Sequence, residues 1–311
     1  MLERILKNNM GKLSVVISAF NEEKKIEDCL KSVSFADEII FVDNSSTDQT
    51  LKIAKKYNSK IFTRENNPML NINKNFGFSK AKNDWILSLD ADERISPELA
   101  KEIQSSIINH KSSVDGYWIP RKNIIFGKWI EHTGWYPDYQ FRLFKKGKGK
   151  FEEKHVHEMI KLEGEAGKLE SPIIHYNYEN ISHFLKKTLL YTENEANQLI
   201  EKGYNFSWQD SVRFPTKEFV SRFFAREGYK DGLHGLVLSL LMAFYHLLIF
   251  VNIWEKLKFK QTEEKEFLAN VRQEFRKGHK EVFFWFYKAR IDTAKDPLKK
   301  LILKIKNKIS Q

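Results

Sequence analysis

Three short clusters of polar and acidic residues each close an apolar run in the first third of the chain: Phe20, Asn21 and Glu22; Asp43 and Asn44; Asp90, Ala91 and Asp92. Two carboxylates one residue apart at a strand end can hold a hard divalent cation such as Mg2+ or Mn2+. Asp90 and Asp92 have that spacing. Such a cation would bridge diphosphate oxygens and neutralise charge as a leaving group departs. The same pattern also suits a turn capped by Asp92. Asp43 can accept hydrogen bonds from a nucleobase or from ribose hydroxyls, or it can open an Asx turn over residues 45–48. Phe20 can stack on a base or simply finish its strand.

The elements that must position these residues follow from periodicity. Residues 13–20, 38–43, 60–64 and 84–90 are short apolar runs of the kind that form buried parallel strands. Helical spacing fills the intervals: 22–33, then a helix through Leu51, Ala54 and Tyr57 with Ser46 and Thr47 as cap candidates, then 71–82. Ser96 and Pro97 open another helix. This alternation predicts a parallel sheet covered by helices on both faces, with right-handed crossovers. Ligands of such sheets bind at the carboxyl ends of the strands, where all three clusters fall. No G-x-G-x-x-G or G-x-x-x-x-G-K-[ST] stands at a strand–helix junction, which disfavours a dinucleotide cofactor or a P-loop.

The rhythm changes at 115–178, where strand-like pieces at 116–126 and 139–144 are joined by Gly, Pro and aromatic residues. Antiparallel strands with long functional loops are expected there. Ser182 is the expected cap of a helix reaching about Lys202. Two domains are expected, a catalytic one at 1–215 and a helical one at 216–311. In the second, residues 236–251 are almost wholly apolar but shorter than the ~20 residues a spanning helix needs.

Charge is uneven. The net charge is +11, and residues 255–311 hold 16 Lys/Arg against 8 Asp/Glu. Hydrophobic residues are 41% and charged residues 30%, so wholesale disorder is not expected. The single cysteine, Cys29, excludes an intramolecular disulfide and lies with Ile26, Leu30 and Val33 on the apolar face of a helix, as a core thiol does. Residues 1–12 lack the long apolar core of a secretion signal. A cytoplasmic protein is expected.

The stretches VVISAFNEE, IIFVDNSSTDQT and NKNFGFSKAKNDWILSLDADE, in that order across residues 13–94, resemble the inverting family 2 glycosyltransferases of GT-A fold. GWYPDYQFRLF and HVHE, at 129–158, resemble a narrower bacterial branch that includes lipopolysaccharide inner-core β-glucosyltransferases. The resemblance implies an α/β mixed sheet flanked by helices. It implies transfer of a hexose from a nucleotide-diphospho-sugar, UDP-glucose being the expected donor, to a hydroxyl of an envelope glycan or glycolipid. Lipopolysaccharide core, a polyprenyl-linked saccharide and a capsular saccharide all suit as acceptors. By the same resemblance, Phe20, Asn21 and Glu22 match the first nucleotide-contacting motif. Asp43 matches the aspartate that reads the base, with Asn44 beside it. Lys74 stands where the family often has an arginine near the diphosphate, and supplies a point charge instead of a fork. Asp90, Ala91 and Asp92 match the donor motif, with Asp90 and Asp92 as the metal pair.

An inverting displacement needs a base for the acceptor hydroxyl. Glu158 in HVHE is the first candidate and Asp138 in YPDYQ the second; either can instead be a structural strand residue. His155, His157 and His175 are weaker candidates for a further metal ligand. Arg142 can pair with a nearby carboxylate or touch an anionic acceptor.

Near the C-terminus, residues 281–290 concentrate Phe283, Phe284, Trp285, Phe286 and Tyr287. Leu298, Leu301, Ile302, Ile305 and Ile309 then share one helical face, with Lys299, Lys300, Lys304, Lys306 and Lys308 around the rest. That is the pattern of a basic interfacial helix, so the C-terminal region is expected to attach peripherally to an anionic membrane surface, on the inner face of the cytoplasmic membrane. A nucleic-acid partner is not expected, because no reading motif accompanies the charge. A nucleotidyltransferase, a basic nucleic-acid-binding protein and a catalytically inactive binding module are the rival classes; the first usually wants a basic, Gly-rich loop after the first strand.

Overall fold

The structure is a computed structural model and describes residues 11–67, 69–108, 113–153, 158–262 and 265–309. The chain forms two compact units, Met1–Ile124 with Tyr136–Asn177, and Ile125–Trp135 with Tyr178–Gln311.

The first unit is a mixed α/β layer structure. Strands β1 (Leu13–Ala19), β2 (Glu38–Asp43), β3 (Lys60–Thr63) and β4 (Trp85–Asp90) alternate with helices α1 (Ile26–Ser32), α2 (Thr50–Ala54) and α3 (Leu70–Lys80). Short β5 (Glu93–Ile95) and helix α4 (Pro97–Ile108) follow, the helix capped by Ser96 Oγ accepting from Leu99 N–H. Then come β6 (Val114–Ile125), β8 (Asp138–Lys145), β9 (Gly149–Lys150), β10 (Lys161–Leu162), β11 (Glu165–Lys168) and β12 (Ile173–Tyr178), while the short β7 (Lys128–Trp129) falls in the second unit. The main sheet runs in the order β3-β2-β1-β4-β8-β6-β12-β5. The first four are parallel, as the crossover rhythm predicts. β8 is antiparallel to both β4 and β6, and β12 is antiparallel to β5.

Strand β1 shows why both faces are covered. Its alternate residues Val15 and Ile17 face a cluster with Ile26, Leu30, Leu99 and Ile103, while Val16 faces Val42, Phe78 and Phe144. Each fully buried side chain of this size contributes roughly 1.5–3 kcal/mol. Cys29 is buried in the first cluster, as expected, and burial pushes its thiol up.

The cap assignments differ from expectation. Ser46 and Thr47 do not cap α2; they bind the neighbouring loop. Ser46 Oγ accepts from Asn21 N–H, and Thr47 N–H donates to Asn21 Oδ1 at 2.8 Å. Asn180, not Ser182, caps the helix at 181–201, accepting from His183 N–H at 2.9 Å. At the second of these helices a short polar side chain two residues before the expected one has the better reach to the free N–H groups.

The second unit is helical: α5 (Ile181–Glu201), α6 (Asp210–Val220), α7 (Leu233–Lys256), α8 (Phe267–Thr293) and α9 (Pro297–Ile309). α7 is longer than its apolar core suggested, and at 24 residues it is long and apolar enough to cross a membrane. It also packs on α5 and α6, burying Leu238, Met242, Tyr245, Ile249 and Ile253. Asn252 Nδ2 donates to Thr192 Oγ1 of α5 at 3.0 Å, a tie suited to a core helix.

Candidate active site

Strand register gathers the three clusters. Ala19 lies opposite Asp43 and Ser18 opposite Asp90, so the carboxyl ends of β1, β2 and β4 meet at one edge of the sheet. Phe20 is 39% exposed there, which leaves its ring open to stacking. Asn21 sits at φ 54°, a left-handed conformation Asn tolerates, and its side chain stitches the loop after β1 to that after β2. Glu22 N–H adds a bond to Thr50 Oγ1 at 2.7 Å. Asp43 is buried, and its carboxylate accepts weakly from Ser46 N–H at 3.3 and 3.4 Å, the Asx geometry. Asn44 is buried too and accepts from Asn73 of α3 at 2.8 Å, so it fixes α3 against β2.

Helix α3 delivers Lys74. Its Nζ lies 2.5 Å from Asp90 Oδ1, and Arg142 of β8 donates to Asp90 Oδ2 at 2.6 Å. Both oxygens of Asp90 therefore face cations. Burial pushes this carboxyl up, but Arg142 and Lys74 outweigh it and hold it well below the usual carboxylate range. Arg142 also donates to Glu93 at 2.8 Å, and Glu93, fully buried, accepts from Asp90 N–H at 2.9 Å.

Asp92 lies in the turn between β4 and β5, beside β12. Its Oδ2 is 3.6 Å from His175 Nε2. His175 Nδ1 is 2.7 Å from Asn123 Oδ1. The Asn123 amide is oriented by its other bonds: Nδ2 donates to Asp138 at 3.3 Å, and Oδ1 accepts from Asn177 at 3.4 Å. An acceptor at Oδ1 obliges His175 Nδ1 to carry the proton, so in the neutral ring the Nε2 lone pair faces Asp92. A lone pair and a carboxylate turned toward each other suit a cation between them.

Metal fit divides the Asp-x-Asp pair. Asp90 already has two cations on its oxygens and makes a poor ligand. Asp92 with His175 offers an oxygen and a nitrogen donor of the right kind. Among the described residues no three His, Cys, Asp or Glu groups form a complete site. A cation held by few protein ligands, with phosphate oxygens completing its shell, matches that donor set. His155 and His157 lie outside the described residues.

The two base candidates differ. Asp138 is clamped: Arg121 donates from Nε and Nη2 at 2.8 and 2.5 Å, and Gln140 and Asn123 add two more bonds. Burial pushes the Asp138 carboxyl up, but Arg121 prevails and the group is held low. A carboxylate so stabilised is a weak base. Glu158 accepts from Glu153 N–H at 2.7 Å and more weakly from Asn71 at 3.5 Å. Asn71 lies one turn before Lys74 on α3, so Glu158 approaches the face of the helix that carries Lys74.

Six contributors escaped the sequence reading: Asn71, Asn73, Glu93, Arg121, Asn123 and Asn177. Arg121 and Asn123 had a visible signal, since polar residues at alternate positions of an apolar strand share one face. His175 and Asn177 repeat that signal on β12.

The description "Glycosyl transferase family 2" matches residues 14–160. An uncharacterised glycosyltransferase of Rickettsia typhi is 30% identical over 268 residues, 79% of this chain and 88% of its own. The lipopolysaccharide core biosynthesis glycosyltransferase LpsC of Rhizobium meliloti is 24% identical over 250 residues, 78% of this chain and 92% of its own. Among solved structures, Staphylococcus aureus TarS 1–349 in complex with UDP-GlcNAc is similar over 81% of this chain and 93% of that chain, with 16% identity and a TM-score of 0.44.

Proposed function

The chain belongs to glycosyl transferase family 2, and from that membership we propose an inverting hexosyl transfer from a nucleotide-diphospho-sugar to a hydroxyl of an envelope glycan or glycolipid. The observation that carries the proposal is the single sheet edge where Asp43, Asp90, Asp92 and Lys74 converge. UDP-glucose is the proposed donor. The name of LpsC supports lipopolysaccharide core as the acceptor class.

In the proposed reaction the acceptor oxygen attacks the anomeric carbon from the face opposite the diphosphate. The bond from that carbon to the diphosphate oxygen breaks, and the nucleoside diphosphate leaves with the electron pair. Glu158 takes the acceptor's proton. Asp43 accepts from the base and Phe20 stacks beside it. Lys74 supplies positive charge where the diphosphate sits, and Asp90, itself fixed by Arg142, holds Lys74 in place. Asp92 and His175 would hold Mg2+ or Mn2+, which when bound supplies charge neutralisation for the diphosphate. The enzyme works in the cytoplasm, peripheral on the inner face of the membrane.

The test is UDP binding by calorimetry, with and without Mn2+, for the wild type and Asp92→Ala. Binding that Mn2+ tightens, and that the substitution returns to the metal-free level, is the expected result. No UDP binding in any metal condition would remove the proposed donor.

A further inference from the structure

Helix α9 (Pro297–Ile309) carries five lysines and no acidic residue. Leu298, Leu301, Ile302 and Ile305 recur at i, i+3, i+4 and i+7, so they form one stripe. The structure leaves all four in water, at 67, 56, 47 and 54% exposure. Leu303, on the other side of the helix, is 4% exposed, and α9 packs on α8. The helix is therefore anchored by its back and presents an apolar stripe outward. At 100° per residue, Lys299 and Lys306 border one side of the stripe, and Lys304 and Lys308 border the other. All four are exposed.

We propose that this face of α9 docks the protein on an anionic lipid surface, with the four apolar side chains in the acyl boundary and the bordering lysines at the headgroup phosphates. Charge and shape together select this occupant. A second copy of the chain would set five lysines against five. A nucleic acid would engage the lysines yet leave the stripe in water. An interface that is apolar below and anionic above accommodates both parts at once. The inference is independent of the transferase proposal, because vesicle binding requires neither donor nor acceptor.

The experiment is flotation of the full chain with phosphatidylcholine vesicles, with and without a third phosphatidylglycerol. Binding is expected only to the anionic vesicles. Each lysine neutralised lowers the affinity about fivefold. The quadruple variant K299Q/K304Q/K306Q/K308Q then loses more than a hundredfold, and L301Q/I305Q also releases the protein. Circular dichroism and thermal unfolding establish that both variants remain folded, since the altered side chains are exposed. Equal binding to neutral vesicles, no binding to anionic ones, or binding that either folded variant retains would overturn the proposal. So would tight binding of duplex DNA that needs the lysines but not Leu301 and Ile305, which would make nucleic acid the partner.

Discussion

His175 Nε2 lies 3.6 Å from Asp92 Oδ2, while the opposite ring nitrogen is committed to Asn123 at 2.7 Å. That pairing gives Asp92 a partner and leaves Asp90 to Lys74 and Arg142. It predicts that His175→Gln weakens Mn2+ binding in the presence of UDP by about tenfold or more. UDP binding without metal should stay at the wild-type level. Mn2+ titration followed by electron paramagnetic resonance measures this directly, and an unchanged Mn2+ affinity would sink the assignment of His175.

The two carboxylates proposed from sequence as bases should separate under substitution. Glu158→Gln is expected to lower kcat by about 10²–10⁴-fold with the donor KM nearly constant. Asp138→Asn breaks a charged pair with Arg121 and weakens two further bonds, so its effect should appear in stability, roughly 1–3 kcal/mol. Steady-state kinetics and urea unfolding on both variants decide the matter. If Asp138→Asn lowers kcat as Glu158→Gln was expected to, with stability intact, the roles are reversed.

Much of this site was legible before the structure, for a physical reason. Buried parallel strands need unbroken apolar runs, and each run here ends in its candidate residue, so Asp43 and Asp90 announce their own position. The parallel half of the sheet follows from the same signal. What was not legible is long-range. The partner of Asp92 stands 83 residues on, at His175, and depends on β12 pairing with β5, which no local period encodes. The role of Ser46 and Thr47 was misread for a similar reason, because a cap and a loop-to-loop bond ask for the same short polar side chain.

Gly77 is a position where close approach matters. A Cβ there would stand 2.4 Å from Val16 Cγ1 and 3.1 Å from Val42 Cγ2, so α3 lies directly against β1 and β2. Glycine to alanine in a helix interior ordinarily gains up to ~1 kcal/mol. Here overpacking costs about 1–3 kcal/mol and pushes outward the helix that carries Lys74 and Asn73. Gly77→Ala should therefore lower both the melting temperature and UDP affinity. A stabilised variant with normal UDP affinity would show that α3 is not seated as described.

Acid sensitivity offers a check on the second unit. Arg213 Nε lies 2.8 Å from Glu274 Oε2, and Lys277 donates to the same carboxylate at 2.6 Å. The hydrogen bond from Arg213, then that from Lys277, lowers the Glu274 carboxyl from 4.5 to about 2. A carboxyl lowered in the folded chain gives stability that is fully present above about pH 4.5 and disappears as the pH falls toward about 2. Arg213→Gln removes the larger cause. The variant should be less stable than the wild type at about pH 7, and the difference should shrink steadily between about pH 4.5 and 2. Urea unfolding midpoints across that range measure it; a difference that stays constant with pH would mean that Arg213 acts through packing alone.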